Sequence, residues 1–396
     1  MPPLRLVMIA RRFWPVCGGE ERRLTHLVAA LVARGIGVTV LTTRWHESWP
    51  EVISWCGATV VRMARRPEGF FGKWRMLRDL SQRLRAMGDQ VDVVYVCGLR
   101  HDAYVAMQSI DRGRTAVVLR DDKSGPEGDC LWQVEVPQGQ RIRRKLIGAD
   151  GFVAASEIAR RELVAAGYPR DRIQFAPGGV LPSPRRSGDG KKAARAALES
   201  ANTLLHCPPG APVAVYTGRL DRTQNACMAI DAWRRVVARW PGARLWLVGP
   251  NANQSELHRR IEAEDLVGRV VPVGSFTDVE ELLAAADAVI VPGGEAGAAA
   301  LVLEAMAAGV PVVAGSDPEN GCLIGDDEFG RLVPLDDSRA LGRALGDIFA
   351  ETGRARQAAD AARAKVEQEY GVDQVADLHV ELFEQLMQRK RSLSQS

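Results

Sequence analysis

Apolar residues fall along this chain in two alternating rhythms. Leu6–Ala10 is a short continuous apolar run, the pattern of a strand buried on both faces of a sheet. A Gly-containing loop, Trp14–Glu20, follows. Leu24, Leu27, Val28 and Leu31 then fall at i, i+3, i+4 and i+7, which predicts a helix ended by Arg34-Gly35. Gly37–Thr42, rich in β-branched residues, reads as the next strand. Thr59–Met63, Asp92–Cys97, Thr115–Leu119 and Gly151–Ala155 read as further strands. This rhythm implies a mostly parallel sheet with helices on both faces.

Residues 181–200 interrupt it. They begin Pro/Gly/Ser-rich and basic, turn helical, and read as a linker. The alternation then restarts, with strands at Val213–Thr217, Arg244–Val248, Val270–Val273, Ala288–Val291 and Val310–Ala314. Helices are expected between them and over Ser338–Ala350 and Gly353–Tyr370, with helical character through Val372–Lys390. The fold class is α/β, two doubly wound units in tandem. Ligands of such units bind outside the carboxyl ends of the strands, so the expected site is the cleft between the units.

The 396 residues, 46% hydrophobic and 26% charged, exclude a disordered or collagen-like chain. No apolar run approaches a bilayer-spanning length, and no signal-peptide pattern opens the chain, so the expected location is cytoplasmic. Seven scattered cysteines without a CxxC read as reduced, mostly buried thiols. The net charge of +3 conceals an asymmetry: residues 1–180 hold 28 Lys and Arg against 19 Asp and Glu, and the remainder is acidic. Opposite signs suggest different partners for the two halves. Nucleic acid is not among the expected partners, since no RNA- or DNA-binding module is visible.

Several motifs are considered and set aside. Gly188 to Ala193 fits GxGxxA but lacks the preceding strand that a dinucleotide fingerprint requires. No Walker A, HExxH, GxSxG or Asp-x-Asp pattern occurs. The pairs Asp121-Asp122, Asp326-Asp327 and Asp336-Asp337 read as solvated loop charges.

The informative segment runs from Val291 to Gly315. A strand ends at Pro292, a Gly/Ala loop carries Glu295, and a helix starts near Ala298. Small residues at a helix start expose backbone N–H groups to an anion. Glu304, within the first turns, suits a ribose diol; the alternative is an ordinary strand–turn–helix with a surface Glu. This segment resembles the GT-B glycosyltransferases of the retaining GT4 type, which carry an E-x7-E motif in a stretch like EGFGLVLLEAMAxGxPVV. Leu301 to Val313, LVLEAMAAGVPVV, matches its second half nearly residue for residue. Phe13-Trp14-Pro15 with Gly18-Gly19-Glu20 looks like the family's N-terminal glycine loop. Pro177-Gly178-Gly179-Val180 is similar to its crossover, and Tyr216-Thr217-Gly218-Arg219-Leu220 to its phosphate segment. The resemblance covers essentially the whole chain. It implies an acceptor domain over 1–180 joined by a crossover helix about 371–396, and a nucleotide-sugar domain over 201–370.

Four positions depart from the family. Gln224 stands where a phosphate-binding Lys belongs. Glu295 is one residue early for the first Glu of E-x7-E, and Leu181 replaces an Asp. Where a His is often found stands Val118-Leu119-Arg120-Asp121. Arg120 with Gly125 and Gly128-Asp129 is similar to a subgroup with an Arg and a Gly-Asp pair in this loop; the alternative is a surface turn.

The resemblance implies transfer of a hexose from a UDP- or GDP-type sugar, with retention, to a glycan or lipid-linked acceptor. Arg219 would meet the leaving diphosphate bidentately. The amides near Gly297–Ala300, Ala298 among them, would add the helix N-terminal field, Leu301 and Val302 would also bind the donor, Gly18 and Gly19 would approach it closely, and Gln224 would stand beside the diphosphate. Glu304 would hold the ribose and Glu295 the sugar, with Arg120 as a further catalytic candidate. No cofactor and no metal is implied. A catalytically degenerate homologue that binds a nucleotide sugar or a protein is the alternative. The basic and aromatic stretch Arg65–Arg85 suggests peripheral contact with an anionic membrane on its inner face, or else a solvated helix face.

Overall fold

The computed structural model describes residues 3–16, 18–65, 69–121, 123–218, 220, 223–249, 254–274, 279–293 and 298–395. The chain divides into two compact units, 1–179 with 372–396, and 180–371.

The first unit holds strands β1 (Arg5–Ile9), β2 (Gly37–Arg44), β3 (Val52–Trp55), β4 (Ala58–Arg65), β5 (Val93–Cys97), β6 (Ala116–Asp121), β7 (Gly151–Ala154) and β8 (Ile173–Phe175). They form one sheet in the order β3-β4-β2-β1-β5-β6-β7-β8. Every pairing is parallel except β3 with β4. That hairpin turns on Cys56 and Gly57, both at positive φ (45° and 82°), as a two-residue turn matching strand twist requires. The helices are α1 (Gly19–Ala33), α2 (Gly69–Met87), α3 (His101–Ser109), α4 (Asp129–Glu135), α5 (Gly139–Leu146) and α6 (Glu157–Ala165).

The second unit holds β9 (Val213–Thr217), β10 (Arg244–Val248), β11 (Val270–Gly274), β12 (Ala288–Val291), β13 (Val312–Gly315) and β14 (Arg331–Val333). These strands are all parallel, in the order β11-β10-β9-β12-β13-β14. Its helices are α7 (Gly188–Ala201), α8 (Thr223–Arg239), α9 (Gln254–Ala263), α10 (Glu280–Ala285), α11 (Ala298–Ala307), α12 (Pro318–Ile324), α13 (Ser338–Ala350) and α14 (Thr352–Glu369).

The last helix, α15 (Val372–Gln395), returns to the first unit. Val375, Phe383 and Leu386 join the core that Leu6, Met8 and Val118 build on one face of the first sheet. Each such buried side chain contributes about 1.5–3 kcal/mol. Arg34 at the end of α1 binds Asp373 (3.2 Å) and Asp377 (2.6 Å), fixing the start of the return.

Some expectations need correction. Residues 181–200 are largely helix: α7 belongs to the second unit, with Arg195 bound to Asp287 at 2.7 Å. Asp121 is not a solvated loop charge but a fully buried residue ending β6, beside Cys130 Sγ at 3.8 Å. Asp337 caps α13 by accepting from the Arg339 and Ala340 N–H groups. Of the six described cysteines only Cys130 is buried: Cys56 is exposed in a turn, Cys322 is exposed on α12, and Cys97, Cys207 and Cys227 are half-buried; Cys17 lies outside the described residues. Strands β3, β8 and β14 do not stand out in the hydrophobic pattern, being short and only partly apolar.

Candidate functional site

Numbered within the second unit, its strand order is 3-2-1-4-5-6. It reverses between β9 and β12, so a crevice opens beyond Thr217 and Val291. Glycine backbones floor this edge. Gly218 N–H donates to the Val248 carbonyl (3.1 Å) and Gly249 N–H to the Gly274 carbonyl (2.9 Å). Gly249 adopts φ 153°, and a Cβ there would lie 1.7 Å from the Gly218 carbonyl oxygen. Across the crevice, a Cβ on Gly315 would lie 2.4 Å from the Gly293 nitrogen. Only glycine permits such approach, which leaves main chain rather than side chains facing a ligand. Thr217, 4% exposed at the switch point, has a buried hydroxyl with no hydrogen-bond partner among the described residues.

Helix α11 follows β12 and starts at Ala298. Ala298, Ala300, Val302 and Leu303 are buried. Leu301 and Glu304, three residues apart, share the face that stays half-buried, and Glu304 Oε2 is itself buried. Glu304 is therefore not a solvated surface carboxylate. Val302 is fully buried in the apolar core, so its side chain serves packing. Arg219, Glu295 and Gly297 lie outside the described residues. So does the Gln224 side chain, although position 224 falls in the first turn of α8.

In the first unit, Gly18 is the extended residue preceding α1 and Gly19 its first residue. A Cβ on Gly18 would collide with the Glu21 carboxylate, so this residue's smallness lets Glu21 fold back over the turn. Glu20 binds Arg23 and stands 3.8 Å from Arg120. Arg120 lies in β6, 4% exposed, and is not part of a surface turn. Arg23 is also buried, and its guanidinium lies across Gly178, where a Cβ would meet it at 2.6 Å. The Gly128-Asp129 pair holds the fold locally, since Asp129 accepts from Leu99 N–H (2.6 Å) and Arg100 Nε (2.5 Å) and so fixes the loop after β5. His101 opens α3 against Trp132, its ring centroid 5.2 Å away, and burial together with Arg11 lowers its pKa.

Arg23 does not stand out in the sequence reading and Glu20 enters it only as part of the glycine loop, although their i, i+3 spacing is a signal that could have paired them. His379 on α15 is missed as well. That imidazole is buried, with Nδ1 2.7 Å from the Val375 carbonyl and Nε2 2.9 Å from the Tyr95 hydroxyl. No signal in sequence pairs residues so far apart. Among the described residues no cluster of three metal-ligating side chains occurs, and no helix is long and apolar enough to cross a membrane.

Two family models match. "Glycosyltransferase Family 4" covers residues 17–183 and "Glycosyl transferases group 1" covers residues 211–351. The lipopolysaccharide core biosynthesis glycosyltransferase LpsE of Rhizobium meliloti (strain 1021) is 27% identical over 179 residues, 45% of this chain and 52% of that protein. The chain spans about half the length of the first curated relatives it matches (52%, 51% and 48%). Among solved structures, sucrose-phosphate synthase from Thermosynechococcus elongatus superposes with a TM-score of 0.76 at 21% identity, over 98% of this chain and 100% of that one. Anabaena Alr3699/HepE in complex with UDP-glucose gives 0.69 at 18% identity, over 98% and 100%. These identities show the shared fold.

Proposed function

The chain belongs to the GT-B glycosyltransferases of the GT4 kind, and from that membership we propose that it moves a hexose from a nucleoside diphosphate sugar to a glycan or lipid-linked acceptor with retained configuration. The observation that carries this reading is the second unit's strand order. It brings the Thr217-Gly218 strand end and the segment leading into α11, with Glu304 in its second turn, to one switch point. The UDP-glucose complex of a protein of the same fold supports a uridine diphosphate donor.

On this reading the diphosphate rests against glycine main chain and the start of α11, where N–H groups and the helix field favour an anion. Arg219 meets the charge that develops on the leaving phosphate, and Glu304 accepts from the ribose hydroxyls. Glu295 holds the sugar. Attack comes from the face that the phosphate leaves, the departing phosphate takes the acceptor's proton, and no metal or protein nucleophile is needed. Gln224 removes one cation from the diphosphate. A charged hydrogen bond there is worth about 1.5–3 kcal/mol, roughly ten- to a hundredfold. That substitution favours the second reading, a nucleotide-sugar binding homologue without turnover.

The acceptor is assigned to the first unit, where α2 turns Met76, Leu80 and Leu84 inward and leaves Phe71 (79%) and Trp74 (56%) exposed beside Lys73, Arg75 and Arg78. The Arg78 guanidinium lies 5.5 Å from the Trp74 ring. Basic residues interleaved with exposed aromatics suit peripheral contact with an anionic lipid surface. Arg66 and the side chains of Arg65 and Phe70 lie outside the described residues.

Calorimetry with a panel of nucleoside diphosphates, comparing wild type with Glu304→Ala and Arg219→Ala, tests the donor assignment. UDP or GDP binding weakened about tenfold or more in each variant is expected. Unchanged affinity in both would remove the site.

A further inference from the structure

The amino-terminal edge of the second unit's sheet carries a groove of about 910 Å³. Pro212, Asp287 and Pro311 on its wall immediately precede β9, β12 and β13. The groove therefore lies at the opposite pole of the unit from the crevice beyond Thr217 and Val291. A five-residue strand spans roughly 16 Å, so a single small ligand cannot fill both.

The wall of the groove is cationic inside an acidic unit. Residues 180–371 hold 21 Lys and Arg against 26 Asp and Glu. Yet Arg185, Arg186, Lys191, Arg356 and Arg363 line this groove, facing three carboxylates, Asp287, Asp360 and Glu367. Two of those are engaged: Asp287 binds Lys191 and Arg195, and Glu367 binds Arg363 at 2.7 Å. Arg186 is half-buried and donates to the Ala286 and Gly309 carbonyls rather than to a carboxylate. Arg185 and Arg356 are exposed and make no ion pair among the described residues. Ile348, Phe349 and Trp240 add an apolar stretch to the same lining; the two rings meet edge to face at 5.7 Å, and the Arg239 guanidinium lies 4.6 Å from the Trp240 ring.

Concentrated guanidinium groups select a phosphoryl group, and apolar side chains beside them favour a ring compound over a bare phosphate. We propose that this groove is a second binding site, independent of the donor crevice, for a small phosphorylated ring metabolite. Arg185 and Arg356 hold the phosphoryl group, and Trp240 and Phe349 pack against the ring.

Titration calorimetry on the full chain tests this with glucose 6-phosphate, AMP and inorganic pyrophosphate, each with and without saturating UDP. The comparison protein is Arg185→Glu/Arg356→Glu, chosen because neither side chain bonds to the fold; an unchanged thermal melt confirms that it is intact. We expect glucose 6-phosphate or AMP to bind more tightly than pyrophosphate, to resist displacement by UDP, and to lose about tenfold or more in affinity in the double variant. The preferred arm tells a sugar phosphate from a nucleoside phosphate. Absence of binding up to about 10 mM, roughly 2.7 kcal/mol, would overturn the proposal. So would displacement by UDP, equal affinity in the double variant, or pyrophosphate binding as tightly as the ring compounds. Failure of UDP itself to bind would count against the donor reading alone, because the variant comparison does not depend on it.

Discussion

His379 makes the stability of the first unit depend on pH in a way that can be isolated. Its imidazole is 1% exposed on α15. Nδ1–H donates to the Val375 carbonyl, which leaves Nε2 to accept from the Tyr95 hydroxyl. Burial, the largest cause, and the positive field of Arg120 lower its pKa from 6.5 to about 4. A histidine whose pKa is lower folded than unfolded binds fewer protons in the native state. Its contribution to stability is therefore complete above about pH 6.5 and is lost as pH falls toward about 4. The whole difference amounts to about 3 kcal/mol, of which about 2 kcal/mol is gone by about pH 5. Urea unfolding of the wild type and of His379→Gln, at about pH 7.5 and about pH 5, separates this contribution from that of the carboxylates, which both proteins share. Glutamine keeps hydrogen-bonding capacity but does not titrate. The wild type should lose about 2 kcal/mol more than the variant over this interval. Equal losses would refute the assignment of a buried neutral imidazole. The point bears on function because Arg120, a catalytic candidate, sits in the same buried region, and acid would place a second positive charge beside it.

Two further outcomes follow from the crevice. Gly249→Ala places a Cβ 1.7 Å from the Gly218 carbonyl oxygen at φ 153°. It should destabilise the second unit by about 1–3 kcal/mol or more and abolish UDP binding, read by thermal melt and calorimetry; full affinity in a stable variant would contradict the glycine floor. Gln224→Lys restores a cation beside the start of α8. It should tighten a nucleoside diphosphate about tenfold and raise donor turnover, followed as nucleotide release by mass spectrometry; no change in either would show that another group already supplies that charge.

The alternation of apolar runs and helical spacings carried the architecture, because a strand buried on both faces must be apolar throughout. Val213–Thr217, Arg244–Val248 and Ala288–Val291 were legible to the residue. Edge elements were not. Strand β3, Val-Ile-Ser-Trp, is only four residues long and no residue of it is fully buried, so it shows neither a long apolar run nor a sustained alternation. For the proposed donor site the sequence supplied Glu304 and the small residues around it through local order along one helix, as well as the replacements at Gln224 and Glu295. It could not supply the contact of Gly218 with Gly249, nor of Gly293 with Gly315, since strand order alone brings those loops together. Charge state was equally hidden. Arg120 and Asp121 read as a polar break after an apolar run, yet both end a fully buried strand. His379 acquires its lowered pKa only because α15 returns across the first sheet to Tyr95, 284 residues earlier. Patterns with periods of two to four residues fix elements and their faces. The environment of a polar group depends on which distant strand or helix covers it, and that is decided only when the sheets are assembled.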